Sequence, residues 1–371
     1  MRKKILIIMS ATGGGHRSVA QSLKEEFESL GYNVSTFDAL PSVFKTSYSI
    51  ISRHLLSFWG FLFWTSSRKK EISKIVSSLG NSIAEEKMRR KLFLSEPDCI
   101  ISVHPLISKF PSKAFLDHGK KIPFGLVIVD PATTHSVWFR GNPDVYFSPT
   151  EIVLKKAIKA GVPKNKIYLT GYPVRKNFYE QVNIKKLRES LGLKPKLFTI
   201  LIGGSGEGVG NVFEICKGLS ELPGDISDCF QVVVICGDNK PLYKKMISKL
   251  SSDLRFTILG FQKNMADWMR ACDVVISKAG PSNLFEAVAA RKPFIAFSCM
   301  PGQEEGNLDL IKHEKIGIVE GDSKCIISIL KRWIKTPALM DDYKHHIELL
   351  RERQKRASLT IVDYIENRLL K

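Results

Sequence analysis

Short runs of Ile, Val, Leu and Phe recur along the chain, each followed by a glycine or polar turn and then by a segment with apolar residues at helical spacing. That rhythm predicts a parallel sheet covered by helices on both faces, because parallel strands need long crossovers and helices supply them. In the first half, strands are expected over 5–9, 33–37, 99–103, 124–129, 145–147 and 167–170. A helix over 18–30 should stop at Gly31, a residue type that tolerates a left-handed cap. A second series begins after a basic, turn-containing stretch over 175–196, with strands expected over 198–202, 231–236, 256–259, 274–277 and 294–297.

Two such series in 371 residues predict an α/β chain of two Rossmann-like domains facing each other across a cleft. Open parallel sheets bind ligands beyond the carboxyl ends of their strands, so function is expected in the loops that follow them. The seven cysteines are scattered, with no C-x-x-C pair and no histidine at zinc-ligand spacing. They read as thiols of a reducing compartment, and no metal site is expected. Arg2-Lys3-Lys4 and the run to Met9 imitate a signal peptide, but the run is too short and reads as a first strand. The apolar stretch 55–64 is about half of what a bilayer span requires, so the chain is expected to lie on a membrane rather than cross it.

Four strand-end loops carry the candidate chemistry. Gly13-Gly14-Gly15-His16 places glycines and a histidine at a helix start, where backbone N–H groups favour an anion or a developing oxyanion. The Lys-Ser/Thr pair of a P-loop is absent. His16 is either a polar cap or a general base, since an imidazole titrates near neutrality. After the first strand of the second series, 203–210 holds five glycines with Ser205 and Glu207 in a spacing that does not fit G-x-G-x-x-G. Asp38 alone therefore does not make a nicotinamide site, whereas the glycine loop suits a diphosphate. Ser282 is expected to cap a helix that begins beside Gly280 and Pro281, and Glu286, one turn in, can accept hydrogen bonds from a ribose diol. Gln303, Glu304 and Asn307 form a polar set suited to sugar hydroxyls.

A formal net charge of +19 favours an anionic partner. Residues 43–91 concentrate it, with ten Lys or Arg against three acids. Tyr48, Ile51, Leu55, Phe58 or Trp59, and Leu62 recur at helical spacing there, with Trp64 and the cluster Arg68-Lys69-Lys70 close behind. That combination suits a helix lying in a lipid interface rich in anionic headgroups. No nucleic-acid-binding motif accompanies the charge, and no nucleic acid partner is expected.

Taken in order, Thr12-Gly13-Gly14-Gly15-His16-Arg17, Ser102-Val103-His104-Pro105-Leu106, Val129-Asp130, Thr134-His135, Trp138-Phe139, Gly171-Tyr172-Pro173-Val174-Arg175, Leu259-Gly260-Phe261-Gln262, Lys278-Ala279-Gly280-Pro281 and Pro301-Gly302-Gln303-Glu304-Glu305-Gly306-Asn307 span nearly the whole chain. This set resembles glycosyltransferase family 28, of the monogalactosyl- and glucosyl-diacylglycerol synthase type, which is related to the peptidoglycan lipid-linked N-acetylglucosaminyltransferase. The resemblance implies a GT-B fold, with residues 1–175 a lipid-acceptor and membrane-facing domain, 176–340 a UDP-sugar domain, and 341–371 a helix returning to the first. It implies an inverting transfer of a hexose from UDP-glucose or UDP-galactose to diacylglycerol, without metal or cofactor, on the inner face of the membrane in the cytoplasm. By residue, His16 would be the base, with Asp130 and His135 as alternatives or supports. Gly204, Ser205, Gly206, Gly280 and Pro281 would hold the diphosphate, Phe261 the uracil, Glu286 the ribose, and Gln303 with Glu304 the hexose. Gly14, Gly15 and Trp138 would face the acceptor, and Trp59, Trp64, Arg68, Lys69 and Lys70 the anionic membrane lipids.

Val129-Asp130 and Arg140 depart from the plant-type pattern, so lipid-head contacts there are not carried over. A peptidoglycan-type transferase with a polyprenyl-linked acceptor, a UDP-sugar 2-epimerase and a non-catalytic nucleotide-sugar or lipid-binding module remain as rivals.

Overall fold

The computed structural model describes residues 2–10, 14–38, 60, 63–65, 67, 90–92, 94–105, 122–203 and 211–371. Two six-stranded parallel sheets organise the chain. The first comprises β1 (Lys4–Met9), β2 (Asn33–Asp38), β3 (Cys99–Ser102), β4 (Phe124–Val127), β5 (Val145–Ser148) and β6 (Ile167–Leu169) in the order β2-β1-β3-β4-β5-β6. The second comprises β7 (Phe198–Gly203), β8 (Phe230–Ile235), β9 (Phe256–Leu259), β10 (Val274–Lys278), β11 (Phe294–Ser298) and β12 (Gly317–Val319) in the order β12-β11-β10-β7-β8-β9. The eleven expected strands are present; β12 is a further one that the sequence reading did not anticipate, being only three residues long and half-buried throughout.

Central strands are apolar on both faces because helices cover both. Ile5, Leu6, Ile7 and Ile8 are all buried, as are all six residues of β7 and β8. In the first unit, the helix Gly14–Ser29 buries Val19, Ala20, Leu23 and Phe27 on one stripe. It begins four residues earlier than its apolar spacing predicts, so Gly14 and Gly15 are its first helical residues and His16 lies in its first turn. In the second unit, Ile200, Ile202, Val232, Val234, Val274 and Ile276 pack with Val212, Ile215, Leu219, Leu330 and Trp333.

Contacts divide the chain into a unit of Met1–Arg175, Pro301–Glu304 and Gln354–Lys371, and a unit of Lys176–Met300 and Glu305–Arg353. Within the first, the helix Ala357–Tyr364 packs on Gly14–Ser29, with Ser22 and Ser358 hydrogen-bonded at 2.8 Å, and the backbone N–H of Tyr172 donates to Gln354 Oε1 at 2.5 Å. Within the second, the buried Arg188 guanidinium donates to the carbonyls of Ala271, Pro195 and Leu197 and to Asp273 at 2.7 to 3.1 Å. Among the described residues, no helix is long and apolar enough to cross a membrane.

Candidate active site

In a doubly wound sheet, the crevice opens where neighbouring strands lead their connections to opposite sides. In the first sheet that point lies between β1 and β3, which pair with Ile8 beside Ser102. The helix carrying His16 starts after β1, and Val103-His104 follows β3. His16 Nδ1 lies 2.6 Å from the carbonyl oxygen of Val103, and its ring centroid is 4.7 Å from that of His104. A carbonyl can only accept, so Nδ1 carries the proton and the lone pair of neutral His16 sits on Nε2. Burial lowers the pKa of His16 to about 4, against the opposing effect of the Val103 hydrogen bond. The imidazole is thus neutral at physiological pH, with one nitrogen fixed and the other a ready proton acceptor.

The segment after β4 brings the next groups. Trp138, wholly buried in the short 3-10 helix Ser136–Phe139, stacks its ring at 6.5 Å from that of His16 and donates its indole N–H to Asp130 Oδ2 at 2.6 Å. Burial raises the Asp130 carboxyl to about 6; hydrogen bonds from Trp138 and Gln303 work the other way, and the charge of Glu304 adds to the rise. The loop bearing Asp130 is pinned from behind: Lys156 Nζ donates to the Ala132 carbonyl and Thr150 Oγ1 to that of Pro131, both at 2.6 Å. His135 caps the Ser136–Phe139 turn, its Nδ1 accepting from the Val137 N–H at 3.1 Å. Its lone pair is thereby engaged and its other nitrogen is a donor, the reverse of the His16 arrangement. Burial, then the nearby Arg140, lowers the His135 pKa to about 4. His16, Asp130, His135, Trp138, Gln303 and Glu304 therefore gather in one unit.

In the second sheet the crevice point lies between β7 and β10, which pair with Gly203 beside Ser277. The glycine loop bearing Gly204, Ser205 and Gly206 leaves β7 at this point; those three residues lie outside the described ones. The helix Pro281–Ala289 starts after β10, with Gly280 at its N-cap and no side-chain cap. Ser282, expected as the cap, is instead a buried residue inside the helix, because Pro281 at the first position sets the start two residues earlier. Glu286 is buried on this helix, and Asn283 Nδ2 donates to Ser277 Oγ at 2.8 Å, tying the helix to its strand. Asn307, from the helix Glu305–His313, donates to the Ala279 carbonyl at 2.8 Å and so fixes the approach to Gly280. Phe261, in the loop after β9, is 57% exposed.

Gly14 and Gly15 form the first turn ahead of His16, and Trp64 is partly exposed beside the buried Phe63. Trp59, Arg68, Lys69 and Lys70, with most of the basic stretch over 43–91 in which an interfacial helix is expected, lie outside the described residues. Two groups near the site have no role in the sequence reading, although His104 stands in the stretch Ser102-Val103-His104-Pro105-Leu106 that carries the resemblance. His104 had a signal, a polar residue directly after a strand, whereas Phe63 had none.

Residues 16–174 match the family Monogalactosyldiacylglycerol (MGDG) synthase, and residues 199–310 the Glycosyltransferase family 28 C-terminal domain. The chain is 33% identical over 347 residues to a protein of Glycine max named probable monogalactosyldiacylglycerol synthase, chloroplastic, covering 89% of this chain and 65% of that one. To the chloroplastic monogalactosyldiacylglycerol synthase 2 of Arabidopsis thaliana it is 31% identical over 350 residues, covering 90% of this chain and 74% of the relative. The chain thus spans about two thirds to three quarters of the length of these relatives. Its fold is similar to that of UDP-GlcNAc 2-epimerase from Neisseria meningitidis bound to UDP-GlcNAc, with a TM-score of 0.64, 16% identity, and 99% of this chain and 100% of that one covered. The paired parallel sheets and such likenesses establish the GT-B fold. With matches that run through both halves in order, the chain belongs to the monogalactosyldiacylglycerol synthase family, its second half formed by a glycosyltransferase family 28 C-terminal domain.

Proposed function

We propose that the protein transfers a hexose from a UDP-sugar to the free hydroxyl of diacylglycerol at a membrane surface. Family membership supports this reading, and one observation carries it: His16, held through Nδ1 on the Val103 carbonyl, keeps the lone pair of Nε2 for the acceptor hydroxyl proton. As that proton moves, the acceptor oxygen attacks the anomeric carbon and the bond to the UDP oxygen breaks. Asp130, ionised above about pH 6 and anchored on the indole that stacks against His16, favours the imidazolium that forms. The departing diphosphate charge falls to the N–H groups of the glycine loop after Gly203 and of the helix start at Gly280-Pro281. Glu286 takes the ribose, Gln303 and Glu304 the hexose, and Phe261 the uracil. The donor is a substrate, and the scheme uses no metal or further cofactor.

Galactose is the first donor to test, because the similar proteins are named for it; glucose is the second. The basic, aromatic stretch over 43–91 supports a peripheral placement on the cytoplasmic inner face, where anionic lipids attract it. A UDP-sugar 2-epimerase shares the fold, but a fold hosts many reactions and does not choose between them.

The test offers UDP-galactose, UDP-glucose and UDP-N-acetylglucosamine separately to the protein on vesicles containing diacylglycerol, with His16→Ala as control. A glycosyl-diacylglycerol formed by the wild type and lost in the variant is the expected result. Epimerised UDP-sugar without lipid product, or lipid product undiminished in His16→Ala, would overturn it.

A further inference from the structure

The turn Pro301–Glu304, which carries Gln303 and Glu304, lies against Gly60 and Phe63, helical residues of the same unit, with Trp64 next to Phe63. Two glycines, one on each side, make the contact possible. At Gly60 a Cβ would come within 2.9 Å of Pro301 Cβ. Gly302, with φ of +77°, would carry a Cβ 2.9 Å from Phe63 Cδ1 and 3.1 Å from Phe63 Cβ. The backbone of the turn therefore rests directly on the Phe63 side chain. The ring is buried, and it meets His135 edge-on at 5.0 Å and Trp64 edge-on at 6.4 Å. One residue beyond the seat, Gln303 donates to Asp130.

We propose that Phe63 is a positioning residue, a wedge between the turn Pro301–Glu304 and His135 that sets Gln303 onto Asp130. The inference rests on the reading of Gln303 and Glu304 as the hexose-contacting pair. It adds that their placement depends on a residue adjoining Trp64, which is 38% exposed. A membrane contact made at Trp64 is then one side chain away from the sugar end of the site. The groups facing Asp130 are the Trp138 indole, the Gln303 amide and the Glu304 carboxylate; displacing the turn removes the Gln303 bond, which favours the ionised acid, and the weaker influence of the Glu304 charge, which opposes it, so the lost bond sets the direction.

The test uses the full chain as wild type, Phe63→Ala, Phe63→Leu and Gly302→Ala. The indole ¹H–¹⁵N resonance of Trp138, assigned by its loss in Trp138→Phe, is followed against pH to report Asp130, and hydrogen exchange is measured at residues 302–305. In Phe63→Ala the titration midpoint should rise by about one unit, the effect of losing one hydrogen bond to an ionised carboxylate, and the turn amides should exchange about tenfold faster. Gly302→Ala, which pushes the same contact apart from the other side, should move both readouts the same way, and Phe63→Leu should return towards wild type. A midpoint that stays or falls, with exchange at the wild-type rate, overturns the proposal; should Phe63→Ala lose its fold, Gly302→Ala decides by the same readouts. Neither readout needs turnover, so a wild type that makes no glycolipid would remove the functional reading while this contact is still judged on its own.

Discussion

The indole N–H of Trp138 holds the carboxyl of Asp130 at 2.6 Å, while the face of the same ring stacks against His16. One side chain thus sets the orientation of an acid and packs a base. Replacing it with phenylalanine keeps a ring near His16 and deletes only the donor. In Trp138→Phe the Asp130 pKa should climb above its present value of about 6, since the lost bond favoured the ionised form. The carboxylate would then be protonated over more of the working range, and kcat/KM should fall about tenfold or more at pH 6 and less at pH 8. Equal losses at both pH values would separate Asp130 from the chemistry.

His16→Ala should lower kcat by about 10²- to 10⁴-fold while leaving UDP binding within a few-fold, the pattern of a lost general base. Its titration gives a second check. The folded-state pKa of about 4 lies below the ordinary 6.5, so the stabilisation from keeping His16 neutral is complete above about pH 6.5 and disappears as pH falls towards 4. In ¹⁵N spectra, His16 should remain neutral with the proton on Nδ1 down to about pH 5. Protonation near 6.5 would place the ring in water and remove the argument for a fixed tautomer.

Asn307 acts on the second unit through a single bond. Its amide donates to the Ala279 carbonyl, just before the helix start at Pro281. Asn307→Ala should raise the KM for the UDP-sugar about five- to tenfold through loss of one hydrogen bond and a carbonyl left unpaired, with a smaller change in kcat. Asn307→Asp should do no better, because a carboxylate cannot donate to a carbonyl. Restoration of KM by aspartate would show that charge or size matters there instead.

Arg188→Met tests the frame rather than the site. The buried guanidinium serves three carbonyls and Asp273, and its removal takes a bond from each, although Asp273 Oδ2 still accepts from the Thr199 N–H and the Leu197 carbonyl from the Thr199 hydroxyl. A loss of about 1–3 kcal/mol is expected, from the charge-assisted hydrogen bonds that disappear. Hydrogen exchange in β7 and β10, which flank Asp273 and the bonded carbonyls, would register it. Unchanged exchange there would mean that water or a neighbour replaces the guanidinium.

The strands were legible in the sequence for a physical reason: burial on both faces demands continuous apolar runs, and Ile5 to Ile8 or Val232 to Ile235 can be little else. The edge strand β12 escaped because three half-buried residues leave no pattern. Gly14 and Gly15 read as loop because glycine is a poor helix former, and Ser282 reads as a cap by residue type although Pro281, suited to the first helical position, starts the helix ahead of it. His16, Asp130 and Glu286 were legible as polar residues at strand ends in an apolar chain. Phe63 and Asn307 draw their importance from partners 239 and 28 residues away, Gly302 and Ala279, and nothing local announces such a contact.

The first unit closes only with residues from the far end of the chain, since Ser358 meets Ser22 and Gln354 meets Tyr172. During synthesis, Met1–Arg175 leaves the ribosome well before the helix that packs on Gly14–Ser29 has been made, whereas the second unit is continuous from Lys176 but for the turn Pro301–Glu304 and is complete with Arg353. The C-terminal unit can thus mature first, with the N-terminal one waiting as a part-covered intermediate. Chaperone demand and protease sensitivity during expression should accordingly concentrate in the first 175 residues, and a released chain truncated after Arg353 should show a protected second unit beside an exposed first.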